Sequence, residues 1–80
     1  MRIRVKFFAS YKEVVGKYEE ELELAPGSTF GDVINKIVSK YPEIELDKEA
    51  ILVLNQKIVN GNPEVEDGDV IAIFPPLGGG

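Results

Sequence analysis

The chain has 80 residues and carries nine Lys and Arg against fourteen Asp and Glu, a net charge of −5 with neither histidine nor cysteine. That length makes one domain. The missing residue types exclude disulfide staples, zinc–thiolate sites, imidazole metal sites, and Ser-His-Asp or Cys-His catalysis built from this chain alone. No phosphate-cradling G-x-x-x-x-G-K-[ST] and no dinucleotide-type G-x-G-x-x-G is present. An acidic balance argues against nucleic acid as the main partner, because phosphate contacts want clustered Lys and Arg. The apolar runs are far shorter than a membrane span, and Met1 leads straight into a strand-like stretch rather than a secretory apolar segment. No membrane association and a cytoplasmic location are therefore expected.

Residues 2–9 (RIRVKFFA) alternate, with Ile3, Val5 and Phe7 on one face and Arg2, Arg4, Lys6 and Phe8 on the other. This predicts a half-buried strand with an aromatic ring on its charged face. Ser10-x-x-Glu13 is a capping-box pattern that starts a short helix, and Gly16 is its stop. Residues 18–24 alternate again, Tyr18, Leu22 and Leu24 against Glu19, Glu21 and Glu23. Like charges along that face discourage edge-to-edge aggregation.

The longest helix is predicted over residues 30–41. Phe30, Val33, Ile34, Ile37, Val38 and Tyr41 form one apolar stripe, Thr29 and Asp32 cap its start, and Pro42 ends it. Residues 43–49 read as a loop. Residues 50–54 (AILVL) form a strand, Asn55-Gln56 a tight turn, 57–59 (KIV) a short strand, Asn60-Gly61-Asn62-Pro63 a loop, Asp67-Gly68-Asp69 a turn, and 70–74 (VIAIF) the last strand. This order predicts an α+β roll, one mixed sheet wrapped over one main helix. Ile3, Val5, Phe7, Leu22, Val33, Ile34, Ile37, Ile71 and Ile73 are the expected core.

Residues 1–74 are thus the folded domain and 75–80 a flexible tail: Pro75, Pro76, Leu77, Gly78, Gly79 and Gly80. Proline cannot donate to a sheet ladder, so the sheet ends there. The bare glycines fit two readings. One is a frayed terminus. The other is a slim rod that carries the Gly80 carboxylate into a narrow site on another protein, with Gly78 and Gly79 permitting close approach. A phosphate loop is excluded, since no helix follows. Phe8 and Phe74 both fall opposite their strands' core residues, and Ile58 joins them. They are either covered by a local element or form an interaction patch beside the root of the tail.

Several blocks together carry a resemblance that spans nearly the whole chain. Val5-Lys6-Phe7-Phe8-Ala9, Lys12-Glu13 and Gly16 are followed by Leu54-Asn55-Gln56, Asp67-Gly68-Asp69, Phe74-Pro75-Pro76 and the closing Gly79-Gly80. With these blocks the chain resembles the MoaD/ThiS ubiquitin-like sulfur-carrier family, nearest its molybdopterin synthase small-subunit branch, and it also resembles small archaeal ubiquitin-like modifiers. The F-P-P block and the length favour the molybdopterin branch over the thiamin branch. Lys12 stands where the family often has Arg.

The resemblance implies a β-grasp fold and a carrier rather than an enzyme. It implies that a ubiquitin-activating-type enzyme adenylates the Gly80 carboxylate with ATP, and that a sulfur donor converts it to a thiocarboxylate. Delivery would follow inside the large subunit of molybdopterin synthase, for molybdenum cofactor synthesis. No metal or cofactor is expected on the chain; ATP is used by the partner. By analogy with the family, Phe8, Ile58, Phe74, Pro75, Pro76 and Leu77 are the expected partner-binding residues. The alternative is a protein modifier joined through the same glycine to lysines of target proteins.

Overall fold

The computed structural model describes residues 1–44 and 50–76. Its elements run β1 (Arg2–Phe7), α1 (Ala9–Val15), β2 (Glu19–Glu23), α2 (Phe30–Lys40), β3 (Ile51–Leu54), β4 (Lys57–Ile58) and β5 (Val70–Phe74). The strands form one five-stranded mixed sheet in the order β2-β1-β5-β3-β4. Only the central β1–β5 pair is parallel; the β1–β2, β3–β5 and β3–β4 pairs are antiparallel. This is the α+β roll expected from the order of elements, and it has the β-grasp form that the family resemblance implies.

The alternation in the strands sets the two faces of the sheet. Ile3, Val5, Phe7, Leu22, Ile71 and Ile73 point inward and are buried, together with Phe30, Val33 and Ile37 of α2. Of the expected core, Ile34 is only half-buried, and Val38 is 36% exposed at the margin of the helical stripe. Tyr11, Ile44 and Val65 complete the core from segments with no clear periodicity. Ile44 belongs to the segment read as a loop, and it is buried because the turn at Pro42 directs it under the helix end, where its N–H donates to the Tyr41 carbonyl.

α2 begins with the capping box that the sequence suggested. Thr29 Oγ1 accepts from the Asp32 N–H at 3.3 Å, and Asp32 Oδ2 accepts from the Thr29 N–H at 2.8 Å. The 60–64 loop adds two contacts at the same end: the Phe30 N–H donates to the Pro63 carbonyl and the Gly31 N–H to Asn62 Oδ1. The Asn55-Gln56 turn is tight because both residues take positive φ, 49° and 72°, the pattern of a two-residue hairpin loop.

Several expected boundaries move, most by a single residue. β1 ends at Phe7, and Ser10 does not cap α1: the cap position is Phe8, without a side-chain hydrogen bond. The cause is the sheet. The Phe8 N–H extends the ladder by donating to the Ile73 carbonyl at 3.2 Å, and the chain turns immediately afterwards, with Ala9 at φ 52°. Gly16 does stop α1, in the left-handed conformation at φ 84°. Tyr18, expected on the inward side of β2, precedes the strand and is 63% exposed. The inward position is taken by Glu20 instead.

Candidate functional site

The face of the sheet away from α2 divides into a charged half and an apolar half, and strand register explains both. On β1 and β2, Arg2 pairs across from Glu23 and Arg4 from Glu21. Arg2 Nε lies 3.1 Å from Glu23, and Arg4 reaches both Glu21 at 3.3 Å and Glu19 at 3.4 Å. On the other half, Ala72 of β5 lies between Lys6 of β1 and Val53 of β3, and Val53 pairs with Ile58 of β4. Phe74 pairs with Ile51 one step further along β5.

Phe8 and Phe74 meet at the end of this apolar half. Their rings stack 4.3 Å apart, centroid to centroid, at 12°. Phe8 is 38% exposed and Ile58 69% exposed. Ile58 sits two strands from Phe74, about 10 Å to the side at the usual strand spacing. The three apolar residues singled out in the sequence therefore share one face, but only two of them touch. Beside the stack, over the small Ala72, lies a hollow of about 490 Å³ lined by Lys6, Phe8, Val53, Asn55, Gln56, Val70, Ala72 and Phe74. A second hollow, of about 380 Å³, lies on the far side of Phe8, with Lys6, Lys12 and Tyr18 in its wall.

Pro75 and Pro76 follow β5 without strand structure and are half-buried. The root of the tail is thus one residue from the Phe8–Phe74 stack. Leu77, Gly78, Gly79 and Gly80 lie outside the described residues. Among the described residues, no group of three His, Cys, Asp or Glu side chains is arranged to hold a metal ion, and no helix is long and apolar enough to cross a membrane.

Sequence reasoning placed Lys6 on the outer charged face of its strand, as either a solvated residue or a docking one, and passed over Val53 and Ala72 as parts of this surface. Their signal is the parity they share with Phe8 or Phe74, which becomes informative only once β5 is placed between β1 and β3. It also passed over Glu20. This carboxylate is buried on the inner side, at the edge of the core. Lys17 Nζ donates to Oε1 at 2.6 Å, the Tyr41 hydroxyl also donates to Oε1, and Lys40 Nζ stands 2.7 Å from Oε2. Burial pushes the Glu20 carboxyl up, but the hydrogen bonds from Lys17, Lys40 and Tyr41 outweigh it and hold it down at about 2.

This geometry of one mixed sheet, one capped helix and an apolar outer face at the C-terminal end of the last strand has a match. Residues 5–80 match the ThiS family. The chain belongs to the ThiS family. A molybdopterin synthase sulfur carrier subunit of Chlamydomonas reinhardtii is 36% identical over 83 aligned residues that cover all of both chains. Small archaeal modifier protein 3 of Haloferax volcanii is 26% identical, again with both chains covered in full. Among solved structures, SAMP1 from Haloferax volcanii superposes with a TM-score of 0.87 at 25% identity, covering all of both chains. In the ubiquitin-like setting of these relatives, the hollow over Ala72 and the Phe8–Phe74 stack lie on the exposed side of the sheet, beside the segment that leads to the diglycine.

Proposed function

We propose that this ThiS-family chain is a sulfur carrier for molybdopterin synthesis, with residues 75–80 as its delivery tail and Gly80 as the reacting residue. The full-length likeness to the Chlamydomonas molybdopterin synthase sulfur carrier subunit carries this reading. The chain supplies a carboxylate and a docking face; ATP and the catalytic groups come from a ubiquitin-activating-type enzyme. The carboxylate attacks the α-phosphate of ATP, releasing pyrophosphate and giving an acyl-adenylate. A sulfur nucleophile then adds to the acyl carbon and AMP leaves, so the terminus becomes a thiocarboxylate. In the large synthase subunit the thiocarboxylate sulfur bonds to a carbon of a pterin precursor and displaces an oxygen there, and water then cleaves the acyl–sulfur bond, leaving the sulfur on the pterin and restoring the carboxylate. A carboxylate needs the adenylate step because oxide is a poor leaving group; the partner enzyme contributes the positioning.

Phe8, Phe74, Ile58, Pro75, Pro76 and Leu77 form the docking side in this reading. Gly78 and Gly79 give the tail its slimness, because a residue without a side chain lets backbone pass close to a partner. The likeness to small archaeal modifier proteins supports a second use of the same activated carboxylate, attack by a lysine amine of a target protein to give an isopeptide bond with loss of AMP.

The test is incubation of the native chain with its adenylating enzyme, ATP and a sulfur donor, followed by intact-mass analysis. The expected result is a gain equal to sulfur replacing oxygen, located on the C-terminal peptide. A chain lacking Gly80 that gains the same mass would overturn the assignment. Adducts on lysines of other proteins, in place of the thiocarboxylate, would favour the modifier reading.

A further inference from the structure

Among the described residues, Lys6 is a cation without a counter-charge on the apolar half of the sheet. Its register partner across β1–β2 is Glu19, but the Glu19 carboxylate is 3.4 Å from Arg4 Nε. Arg2, Arg4, Lys17 and Lys40 are ion-paired, and the Lys36 ammonium donates to the Glu23 carbonyl. Lys6, Lys12 and Lys57 have no carboxylate within ion-pairing distance among the described residues. In a chain with a net charge of −5, such cations are few. Lys6 is also half-buried and lines both hollows, one on each side of Phe8, while Lys12 stands in the wall of the second.

A partner that covers the Phe8–Phe74 stack must seal the hollow over Ala72, and doing so takes the Lys6 ammonium out of water. Stripping a charge of its hydration without giving it a counter-charge is strongly unfavourable. The stem of Lys6 can stay against Ala72 and Phe8, but among the described residues no carboxylate pairs with its head, and the Asn55 and Gln56 amides that share the hollow are neutral. The counter-charge has to arrive with the partner. Resting on the carrier reading above, we propose that the docking element of the adenylating enzyme carries an Asp or Glu beside its apolar anchor, and that this carboxylate pairs with Lys6, with Lys12 at its flank. The apolar hollow sets where the partner binds, and Lys6 selects partners that are acidic at that one point, although the carrier is acidic as a whole.

The experiment uses the full chain and the purified adenylating enzyme. Lys6→Glu is expected to raise the dissociation constant about thirtyfold or more, as for loss of one member of a desolvated charge pair. Lys57→Glu, which changes the net charge equally on an edge strand outside both hollows, is expected to change it less than about threefold. Lys57→Glu should keep the native unfolding temperature to within a few degrees, while Lys6→Glu, which sets a carboxylate across from Glu19 in the β1–β2 register, should lower it modestly and leave the chain folded at the temperature of the binding assay. A zero-length carbodiimide reagent, which condenses an amine and a touching carboxylate to an amide with loss of water, is expected to join Lys6 or Lys12 to an Asp or Glu of the enzyme.

Equal losses for Lys6→Glu and Lys57→Glu would reduce the effect to net charge and overturn the proposal. So would unchanged binding of Lys6→Glu, the absence of a Lys6 or Lys12 cross-link from the complex, or displacement of the enzyme by millimolar inorganic phosphate, which would make the ligand of Lys6 a phosphate group. If any of these occurs while the native chain still gains sulfur, the carrier reading stands and only the Lys6 pairing is wrong. A native chain that neither binds the enzyme nor gains the mass overturns both.

Discussion

Phe8, at the cap of the first helix, and Phe74, at the end of the last strand, lie 66 residues apart in sequence and stack with their ring centroids 4.3 Å apart. The parallel β1–β5 pairing brings them together, Phe7 opposite Ile73, so the next residue of each strand leaves the ladder on the same side of the sheet. Such a pair adds about 0.5–1.5 kcal/mol beyond the area it buries, modest for the fold but useful for holding two rings flat as a landing surface. Phe74→Asp should therefore leave the chain folded and weaken its affinity for the activating enzyme by about 2 kcal/mol or more, as for the centre of an interface patch. Calorimetric titration checks this, and an unchanged dissociation constant in a folded variant would count against the docking face.

The tail prediction depends on width. If the tail works as the proposed delivery rod, Gly79→Val widens it with a branched side chain and is expected to abolish the mass gain on activation without lowering the unfolding temperature. Equal thiocarboxylation of this variant and the native chain would show that the channel has room to spare.

Ile37 is fully buried in the core cluster that also holds the inward side chains of β1 and β5. Ile37→Ala should cost about 2–5 kcal/mol, a large share of the total stability of so small a domain. Urea unfolding measures it, and a loss below about 1 kcal/mol would show that the core can close around the missing atoms.

Thr29→Ala removes one half of the capping box of α2 and is expected to destabilise by about 0.5–2 kcal/mol. The effect should be close to that of Asp32→Ala, because each side chain satisfies the other's backbone N–H. The double variant should lose less than the sum of the two, measured by the same unfolding experiment.

Glu20 gives the chain a specific acid response. Its carboxyl is held down at about 2 in the folded state, against about 4.3 for an ordinary glutamate. A depressed carboxylate contributes stability that is fully present above the unfolded value and is lost as pH falls toward the folded one. Unfolding midpoints should accordingly drop between about pH 4.3 and pH 2 in the native chain, and drop less steeply in Glu20→Gln. Tyr41→Phe removes one donor to this buried carboxylate and should cost about 1.5–3 kcal/mol at neutral pH. A Glu20→Gln variant with the same acid slope as the native chain would assign that slope to other carboxylates.

Much of this protein was written locally. Period-two alternation in residues 2–7 and 70–74, the apolar stripe of α2 with its Thr29–Asp32 cap, the Asn55-Gln56 hairpin turn and the Gly16 stop each depend on neighbours a few residues away, so they are legible without knowing the fold. The tail and the diglycine are likewise a matter of sequence alone, although by themselves they left a frayed end and a delivery rod both open. Pairing decided the rest. Phe8 became a helix cap rather than a strand residue because Ile73, across the parallel ladder, accepts its N–H. Glu20, one of several glutamates in a row, became buried because the end of α2 delivers Lys40 and Tyr41 to it from 20 residues away. Lys6 has no ion-pair partner among the described residues, its register neighbour Glu19 being paired with Arg4. Contacts of this kind are set by strand order and register, which bring distant residues together and carry no signature at either position, and so only the tertiary structure could assign them.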